Sequence, residues 1–361
     1  MIRGAILDLN LGGIREVNGE SIMRMNAMIL EKVAPIEEEP LKFKAVDIPH
    51  FGQNEMLIKI SSCGVCRSNL HMIQGEWVRE LNIPAILPII PGHEITGIVT
   101  DMGDSVVGFT EGEKVGIQNL WSSCNNCDYC INGRENICLN QQLTGETRDG
   151  GYAEYIVSDF RHTYRLPSNL DPISSSPLFC PGVTAYGAVI KTSPKRNMNI
   201  GIFGLGGVGH IVTQIANYFG AKVYNFASNE YELNLCDKLG LDNVVPTNSD
   251  YILPDNYRNF LDAALVFTPS EQAVTSSIRG LKAGGKLVLG THAPINNFRP
   301  FDEIEIVGTN LGTRSDMRRV LEIASEGYIK TITTRFDLKE ANKVLKMLKD
   351  RKITGRAVLT P

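Results

Sequence analysis

Four cysteines stand close together in the first half of the sequence. Cys124, Cys127, Cys130 and Cys138 follow the spacing C-x2-C-x2-C-x7-C in a stretch that also contains Asn and Gly. Four thiolates at such short spacing can surround a zinc ion tetrahedrally and leave no open position, which is the arrangement of a structural zinc site. Disulfides or free thiols, and an iron–sulfur cluster, are the alternatives for the same residues. The spacing favours structural zinc.

A glycine-rich segment in the second half can hold a phosphate group. Gly204-Leu205-Gly206-Gly207-Val208-Gly209 follows an apolar run at residues 199–203 and opens a helix-like stretch. The glycines permit a tight turn, a close approach of the backbone to a pyrophosphate, and packing of helix on strand. A structural turn is the alternative, but the strand before and the helix after predict a dinucleotide site.

The residues after the next strand bear on which dinucleotide binds. A site for NAD usually has an Asp or Glu there, about 20 residues after the glycines, to hold the ribose 2′-hydroxyl. Here Ala227 takes that place, and Glu230 comes too late, in the expected turn. Ser228 and Asn229 could donate hydrogen bonds to a 2′-phosphate, although no Arg or Lys follows before Lys238. The segment therefore favours NADP(H) over NAD(H).

Three further residues could bind a metal but are widely separated. Cys66, His93 and Cys180 lie in Cys-Gly-Val-Cys-Arg-Ser, Gly-His-Glu and Cys-Pro-Gly-Val-Thr segments. Their spacing alone does not join them, because a buried core cysteine or a hydrogen-bonded histidine explains each one separately.

The composition limits the class of protein. The 361 residues include 36 Lys and Arg against 40 Asp and Glu, a net charge of −4, with 43% hydrophobic residues. This mildly acidic balance disfavours a broad basic surface for nucleic acid or anionic membrane, and the apolar content disfavours intrinsic disorder. The length predicts two or three domains.

The N-terminal segment shows only a weak secondary-structure pattern and lacks the features of a secretory signal. We expect residues 1–24 to be an N-terminal extension ahead of a later translation start, because three methionines follow closely at positions 23, 25 and 28. The intact mass of the native protein tests this expectation. Without a signal or an apolar span, we expect a cytoplasmic protein in which clustered cysteines bind metal rather than form disulfides.

The remaining elements fall into two kinds. Short β-like runs such as residues 56–60 and 97–100 fill the chain to about residue 178. From there to about residue 308, apolar strands alternate with amphipathic helices, which predicts a doubly wound parallel sheet. Helical stretches at 317–326 and 338–348 and a strand at 357–360 follow. The fold class is α/β.

At this point the sequence resembles the zinc-dependent alcohol dehydrogenases of the medium-chain dehydrogenase/reductase family over nearly all of residues 25–361. The resemblance rests on the segment Gly92-His93-Glu94-x2-Gly97-x5-Gly103-x2-Val106, on the cysteine and glycine motifs above, and on Gly150-Gly151-Tyr152-Ala153-Glu154-Tyr155. It implies a GroES-like, mainly β catalytic domain over residues 25–178 and 313–361. It also implies a Rossmann cofactor domain over residues 179–312.

The resemblance also implies the metal ligands. In the family a catalytic zinc is held by two cysteines and a histidine, here Cys66, His93 and Cys180, with an open fourth position. Glu94 resembles a nearby carboxylate that can visit the metal. With the four-cysteine site, two Zn²⁺ ions per chain are expected.

Other site residues follow from the same resemblance. Ser68 resembles the hydroxyl that takes the alcohol proton, and His71 resembles the relay that passes it on. Trp121 aligns with a wall of the substrate pocket. The residues expected to contact the cofactor are Arg67, Thr184, the loop from Gly204 to Gly209, Ser228, Asn229 and Arg356.

The implied activity is hydride transfer between an alcohol, or its aldehyde or ketone, and NAD(P). A polyol or sugar dehydrogenase of the same family is one alternative, and a non-catalytic NADPH-binding protein that kept the fold is another. A homodimer or homotetramer is expected from the family, with no nucleic-acid or membrane partner.

One position departs from the family pattern. The family has an Asp that hydrogen-bonds the zinc-bound histidine, and here that residue is Asn69. An amide carries no charge, so we expect weaker zinc retention or turnover, and Asn69→Asp is expected to raise one of them by up to about 10–100-fold.

Overall fold

The computed structural model describes residues 14–17, 20–81, 83, 85–296 and 298–361. Residues 1–13 and 18–19 of the predicted extension lie outside this range. Strands β1 (Ile14–Val17) and β2 (Glu20–Leu30) pair antiparallel, and β2 pairs with β3 (Leu41–Asp47) from Arg24 onward. The expected boundary after residue 24 therefore falls inside β2, because polar residues interrupt the apolar alternation of this strand without ending its pairing.

The next part of the chain is mainly β, as the sequence predicts. Its elements in order are β4 (Glu55–Gly64), α1 (Arg67–Ile73), α2 (Glu76–Leu81), β5 (Glu94–Met102), β6 (Lys114–Ile117), β7 (Leu120–Ser122), α3 (Asp128–Ile131), β8 (Gln142–Leu143), β9 (Tyr155–Asp159) and β10 (Thr163–Arg165). Strands β10, β6, β5 and β4 lie side by side and antiparallel, and β9 also pairs with β4. In β4 the alternate residues Met56, Ile58 and Ile60 face the core and are buried.

The chain then forms the alternating elements. They are α4 (Pro172–Ser175), α5 (Pro181–Lys191), β11 (Asn199–Phe203), α6 (Gly209–Tyr218), β12 (Lys222–Ala227), α7 (Glu230–Leu239), β13 (Val244–Pro246), β14 (Leu261–Val266), α8 (Glu271–Gly280), β15 (Leu281–Leu289) and β16 (Glu305–Gly308). The strands pair in parallel in the order β13-β12-β11-β14-β15-β16. This order reverses direction beside β11, which places a ligand crevice at its carboxyl end.

The last strands of the chain join the sheet that contains β4. They are α9 (Arg314–Ser325), β17 (Thr333–Asp337), α10 (Ala341–Lys349) and β18 (Arg356–Thr360). Strand β18 pairs antiparallel with β4, and β17 pairs in parallel with β18. The sheet membership agrees with a mainly β domain made of two chain segments around a parallel-sheet domain, while the exact boundaries stay predictions.

The buried apolar residues form three clusters. One cluster joins β2, β4 and β5 with the buried side of α10, and two others cover the parallel sheet. Among the described residues no single helix is long and apolar enough to cross a membrane. One bent pair of helices, Pro172–Phe179 with Pro181–Lys191, has the length and composition to do so, on these two criteria alone.

Candidate active site and metal centres

The three dispersed metal-binding candidates meet in space. Cys66 directly precedes α1, His93 directly precedes β5, and Cys180 directly precedes α5. One ligand atom from each of these residues, together with a carboxylate oxygen of Glu94, lies within 4.8 Å of the others. Three element ends thus converge, and their side chains are shielded: His93 and Glu94 are at most 1% exposed.

The geometry of this cluster fits a zinc ion. The sulfurs of Cys66 and Cys180 are 3.8 Å apart. Two thiolates bound to one zinc at about 2.3 Å in tetrahedral geometry would lie about 3.8 Å apart, whereas a disulfide needs about 2.05 Å. A carboxylate oxygen of Glu94, Oε2, is buried without a hydrogen-bond partner among the described residues. The donor set and this unpartnered oxygen both fit a cation.

The charge state of the two thiols points the same way. The hydrogen bond with Cys180 lowers the pKa of Cys66, and the bond with Cys66 raises the pKa of Cys180. Of the two thiols, that of Cys66 therefore loses its proton more readily. Burial raises the pKa of Glu94 to about 7, against the opposing effect of Arg356. A divalent cation binds thiolates, so its binding would release thiol protons from this pair.

The four-cysteine loop forms a second cluster. The sulfurs of Cys124 and Cys130 are 3.8 Å apart, those of Cys127 and Cys138 are 3.9 Å apart, and those of Cys124 and Cys138 are 3.5 Å apart. These separations again match the edge of a zinc tetrahedron and exclude disulfides. In the described part of the chain all eight cysteines are free.

The loop is anchored by residues outside its cysteines. The buried carboxylate of Glu135 accepts hydrogen bonds from the backbone and the guanidinium of Arg314, at 2.9 and 3.2 Å. The side chain of Asn136 donates to the carbonyl of Asn310 at 2.8 Å. The second cluster is therefore tied to the segment that leads into α9.

The glycine segment has the shape of a phosphate cradle. Gly204 has φ +90°, a conformation that favours glycine. A side chain at Gly209 would collide with the carbonyl of Gly204, so helix α6 can start only with a glycine there. A Cβ atom at Gly206 would have no other atom within 4 Å, so a ligand can approach the backbone there. Open backbone at a helix N-terminus fits a pyrophosphate.

Arg356 joins the glycine segment to the first cluster. Its guanidinium forms a buried ion pair with Glu94 and would collide with any side chain at Gly207. The other predicted arginine, Arg67, instead donates to the carbonyl of Leu348 at 3.2 Å. Of the two arginines expected to contact the cofactor, the structure brings Arg356 to the glycine segment.

Comparison with known proteins decides the family. The alcohol dehydrogenase GroES-like domain matches residues 52–168, and the zinc-binding dehydrogenase domain matches residues 207–326. An alcohol dehydrogenase of Geobacillus stearothermophilus is 35% identical over 337 residues, which cover 91% of this chain and 99% of that protein. This chain belongs to the zinc-type alcohol dehydrogenases of the medium-chain family.

Solved structures agree with this assignment. The alcohol dehydrogenase of the hyperthermophilic archaeon Aeropyrum pernix is 27% identical with a TM-score of 0.82, covering 93% of this chain and 100% of that one. A zinc-binding dehydrogenase of Sinorhizobium meliloti, bound to NADP, is 25% identical with a TM-score of 0.81 and covers 94% and 99%. The family and the fold expected from the sequence are confirmed.

The proton-relay candidates of this dehydrogenase both lie on α1. The hydroxyl of Ser68 lies 3.1 Å from the sulfur of Cys66 and 3.4 Å from Nε2 of His93, so it reaches the first cluster. His71 lies one turn further along, its side chain is 37% exposed, and its Nδ1 contacts the carboxylate of Glu76. The helix thus runs from the cluster toward solvent.

The other nitrogen of His93, Nδ1, faces two polar side chains. The amide nitrogen of Asn69 is 3.4 Å away, and Oε1 of Glu146 is 3.8 Å away. The side chain of Asn119 donates to the same Oε1 at 2.8 Å. No pattern in the sequence points to Asn119 or Glu146, because both lie in irregular segments that only the fold brings toward His93.

Trp121 has its contacts away from the ligands of the first cluster, and its expected place in the substrate pocket stays a prediction. Its indole N–H donates to the carbonyl of Val157 at 3.2 Å, and the guanidinium of Arg148 lies 4.9 Å from the ring centre. The ring lines a cavity of about 550 Å³ whose described lining residues do not include the ligands of the first cluster. Asn119, two residues before Trp121, donates a hydrogen bond to Glu146, and the carboxylate of Glu146 faces His93.

The groups at the end of β12 are already engaged. A buried carboxylate, Glu232, accepts hydrogen bonds from the backbone and the hydroxyl of Ser228, at 2.7 and 3.0 Å. It also accepts from the backbone of Leu205 and the hydroxyl of Tyr251, at 3.0 and 3.1 Å. The side chain of Asn229 caps α7 and donates to Ser228. Glu232, two residues after Glu230, is the acid that the first turn of α7 directs back to the glycine segment.

Thr184 lies one turn into α5, half-buried, and its backbone N–H donates to the carbonyl of Cys180 at 3.0 Å. Its place close to a predicted zinc ligand fits a position between metal and cofactor, and its contact with the cofactor stays a prediction.

Proposed function

We propose that this protein is a zinc-dependent alcohol dehydrogenase that interconverts alcohols and aldehydes or ketones with a nicotinamide dinucleotide. The observation that carries the proposal is the connection from the cluster of Cys66, His93 and Cys180, through the Glu94–Arg356 ion pair, to the glycine segment. This connection supports a metal site and a dinucleotide site that lie next to each other.

A zinc ion at the first cluster would polarise a substrate oxygen, and a bound nicotinamide would exchange hydride with the substrate carbon. Ser68 is placed to take the hydroxyl proton at Oγ, because this oxygen lies beside both a cysteine ligand and Nε2 of His93. His71 is placed to pass a proton toward solvent at its exposed ring. Arg356 would hold the negative charge of the pyrophosphate near Gly207.

We further propose a structural zinc in the four-cysteine loop, giving two zinc ions per chain. Its support is the set of sulfur separations of 3.5 to 3.9 Å and the anchoring of the loop by Glu135. Four sulfurs would fill a tetrahedral site and leave no position for a substrate oxygen. Metal analysis of the purified protein is expected to give about two zinc ions per chain. A value near one that falls to near zero in Cys180→Ser would contradict this part of the proposal, because the single zinc would then lie in the first cluster.

For the cofactor, the contacts of Glu232 favour NAD(H) over the NADP(H) expected from the sequence. The hydroxyl of Ser228 donates to Glu232, and the side chain of Asn229 accepts from the backbone of Glu232 and donates to Ser228, so both side chains are already engaged within the protein. A 2′-phosphate at the end of β12 would also be repelled by this carboxylate. We propose that Glu232 takes the part of the acid that Ala227 lacks.

The first experiment measures the oxidation of NADH and of NADPH with a panel of aldehydes and ketones, on protein whose zinc content is known. Faster turnover with NADH supports both the chemistry and the role of Glu232. Faster turnover with NADPH supports the chemistry and contradicts that role. No turnover with either cofactor on zinc-loaded protein would favour the non-catalytic dinucleotide-binding protein.

A pair of variants isolates the effect of charge at the end of β12. Glu232→Gln removes the charge and keeps the size, whereas Tyr251→Phe removes one hydrogen bond to the same carboxylate and keeps its charge. Titrations of NADH and NADPH fluorescence are expected to show a shift of about fivefold toward NADPH for Glu232→Gln alone, since removal of one repulsive charge pair is worth about 1 kcal/mol. Equal shifts in both variants would contradict charge as the cause.

A further inference from the structure

The two ring nitrogens of His93 have different surroundings. Nε2 lies on the side of Cys66 and Ser68, where the proposed zinc would bind. When Nε2 of a neutral imidazole binds a metal, the proton is on Nδ1, and this N–H needs an acceptor that fixes the orientation of the ring. The inference that follows rests on the proposed zinc site and concerns that acceptor.

Asn69 alone meets this need poorly. Its amide nitrogen lies 3.4 Å from Nδ1, and its Oδ1 is buried with no hydrogen-bond partner among the described residues. Exchanging the two ends of the amide would turn Oδ1 toward His93 but would leave the NH₂ group where Oδ1 now has no partner. In either orientation the side chain brings no negative charge to the ring.

Glu146 offers the charge from another part of the chain. Its Oε1 lies 3.8 Å from Nδ1, within the range of an ion pair, and its side chain is only 13% exposed. A movement of about 1 Å would bring this oxygen to hydrogen-bond distance. The charged groups that act on this carboxyl are His93, which is attractive, and Cys66, which is repulsive.

The position of Glu146 is fixed by the segment between β6 and β7. The backbone N–H of Thr144 donates to the carbonyl of Asn119 at 2.7 Å, and the hydroxyl of Thr144 donates to the carbonyl of Gln118 at 2.9 Å. The side chain of Asn119 then holds Oε1 of Glu146 at 2.8 Å. A buried carboxylate held in this way toward a histidine is unlike a solvated surface charge.

We propose that Glu146 is the positioning residue for His93 and supplies the carboxylate that position 69 lacks. It acts through the imidazole, by accepting from Nδ1–H, and thereby orients Nε2 and strengthens its binding to the metal. The carboxylate that faces His93 thus comes from the loop after β8 and not from the helix α1.

Zinc retention under a competing chelator tests this proposal by a readout separate from turnover. Glu146→Gln is expected to lose the first zinc about 10–100-fold more readily, because loss of such a partner has that effect on metal affinity. The zinc of the four-cysteine loop is expected to stay, so metal content falls from about two to about one per chain. Glu113→Gln, which removes a surface carboxylate paired with Arg165, serves as the matched control.

The double variant Asn69→Asp with Glu146→Gln distinguishes positioning from folding. It returns a carboxylate to Nδ1 from the other side, so most of the zinc retention and the visible absorption of the cobalt-substituted site are expected to recover. Failure to recover, or full retention in Glu146→Gln alone, would overturn the proposal.

Asn69→Asp alone gives a result even if Glu146→Gln does not fold. If Glu146 already supplies the carboxylate, the added acid is expected to change zinc retention by less than about threefold. A gain of about 10–100-fold would show that the ring lacks a carboxylate and would overturn the proposal. If wild-type protein holds zinc only in the four-cysteine loop, the proposed function fails and the role of Glu146 fails with it, whereas two zinc ions with an unaffected Glu146→Gln overturn the role alone.

Discussion

The two cysteine clusters have similar sulfur separations but are built in different ways. Cys124 and Cys138 are 14 residues apart in one loop, whereas Cys66 and Cys180 are 114 residues apart and precede different helices. The loop can gather its own ligands locally. The dispersed cluster exists only after β4, β5 and α5 have packed together, so its geometry depends on the whole fold.

The surroundings of the two clusters differ as well. Three of the four loop cysteines are partly exposed, and the loop cluster consists of four cysteine sulfurs. The dispersed cluster combines two cysteines and a histidine with Glu94, is more deeply buried, and has Arg356, Asn69 and Glu146 around it. Four cysteine ligands leave no coordination position for a substrate, which is typical of a structural metal site. Three ligands leave a position for a substrate, and charged neighbours adjust the metal for catalysis.

Replacing a ligand in the dispersed cluster is expected to have the largest effect. Cys180→Ser removes one strong ligand from a set of three, so turnover is expected to fall about 10³-fold or more, because a zinc Lewis acid supplies several kcal/mol. Steady-state rates and metal content measure this together. Retained turnover with one zinc per chain would contradict the assignment of the reactive metal to this cluster.

Cys127→Ser in the loop is expected to act on stability instead. A structural zinc contributes on the order of 10 kcal/mol to the order of its own loop, of which part appears in global unfolding. We expect a thermal midpoint lower by several degrees and a turnover per folded, zinc-loaded site within about threefold of the wild type. A loss of turnover as large as that of Cys180→Ser, without destabilisation, would show that the two clusters are not separate in function.

Arg356→Ala tests the link between the dispersed cluster and the glycine segment. Removing one partner of a buried ion pair leaves Glu94 unpaired, at a cost of about 3–5 kcal/mol in unfolding free energy. Cofactor affinity is expected to fall, and zinc in the four-cysteine loop is expected to be unaffected. Denaturant unfolding and fluorescence titration measure the two effects, and unchanged cofactor affinity would contradict the link.

A buried histidine outside both clusters, His210, is expected to make the free energy of unfolding depend on pH. Burial lowers the pKa of His210, on α6, to about 4, while its Nδ1 contacts the carbonyl of Gly206. The unfolded chain, with a histidine pKa of about 6.5, binds more protons between these values. Stability is therefore expected to fall by up to about 3 kcal/mol as pH drops from about 6.5 to about 4.

His210→Gln is expected to remove this component in both zinc-loaded and zinc-depleted protein, as measured by urea unfolding at a series of pH values. An unchanged pH dependence in the variant would assign the acid loss to the metal clusters instead.

The sequence by itself determined what neighbouring residues encode. The four-cysteine loop is a local pattern, the glycine segment is a strand, a turn and a helix in immediate succession, and the strand and helix alternation requires a parallel sheet. These features depend on contacts within a few turns of chain. The structure reproduces the strand at residues 199–203 and the start of α6 at Gly209.

Only the tertiary structure decided which distant residues meet. It joined Cys66, His93 and Cys180, which the sequence could join only by resemblance. It also placed Glu146 beside His93 and Glu232 under the glycine segment. Side-chain direction in loops and at helix ends depends on packing against elements far away in the chain, and no periodicity in the sequence records it.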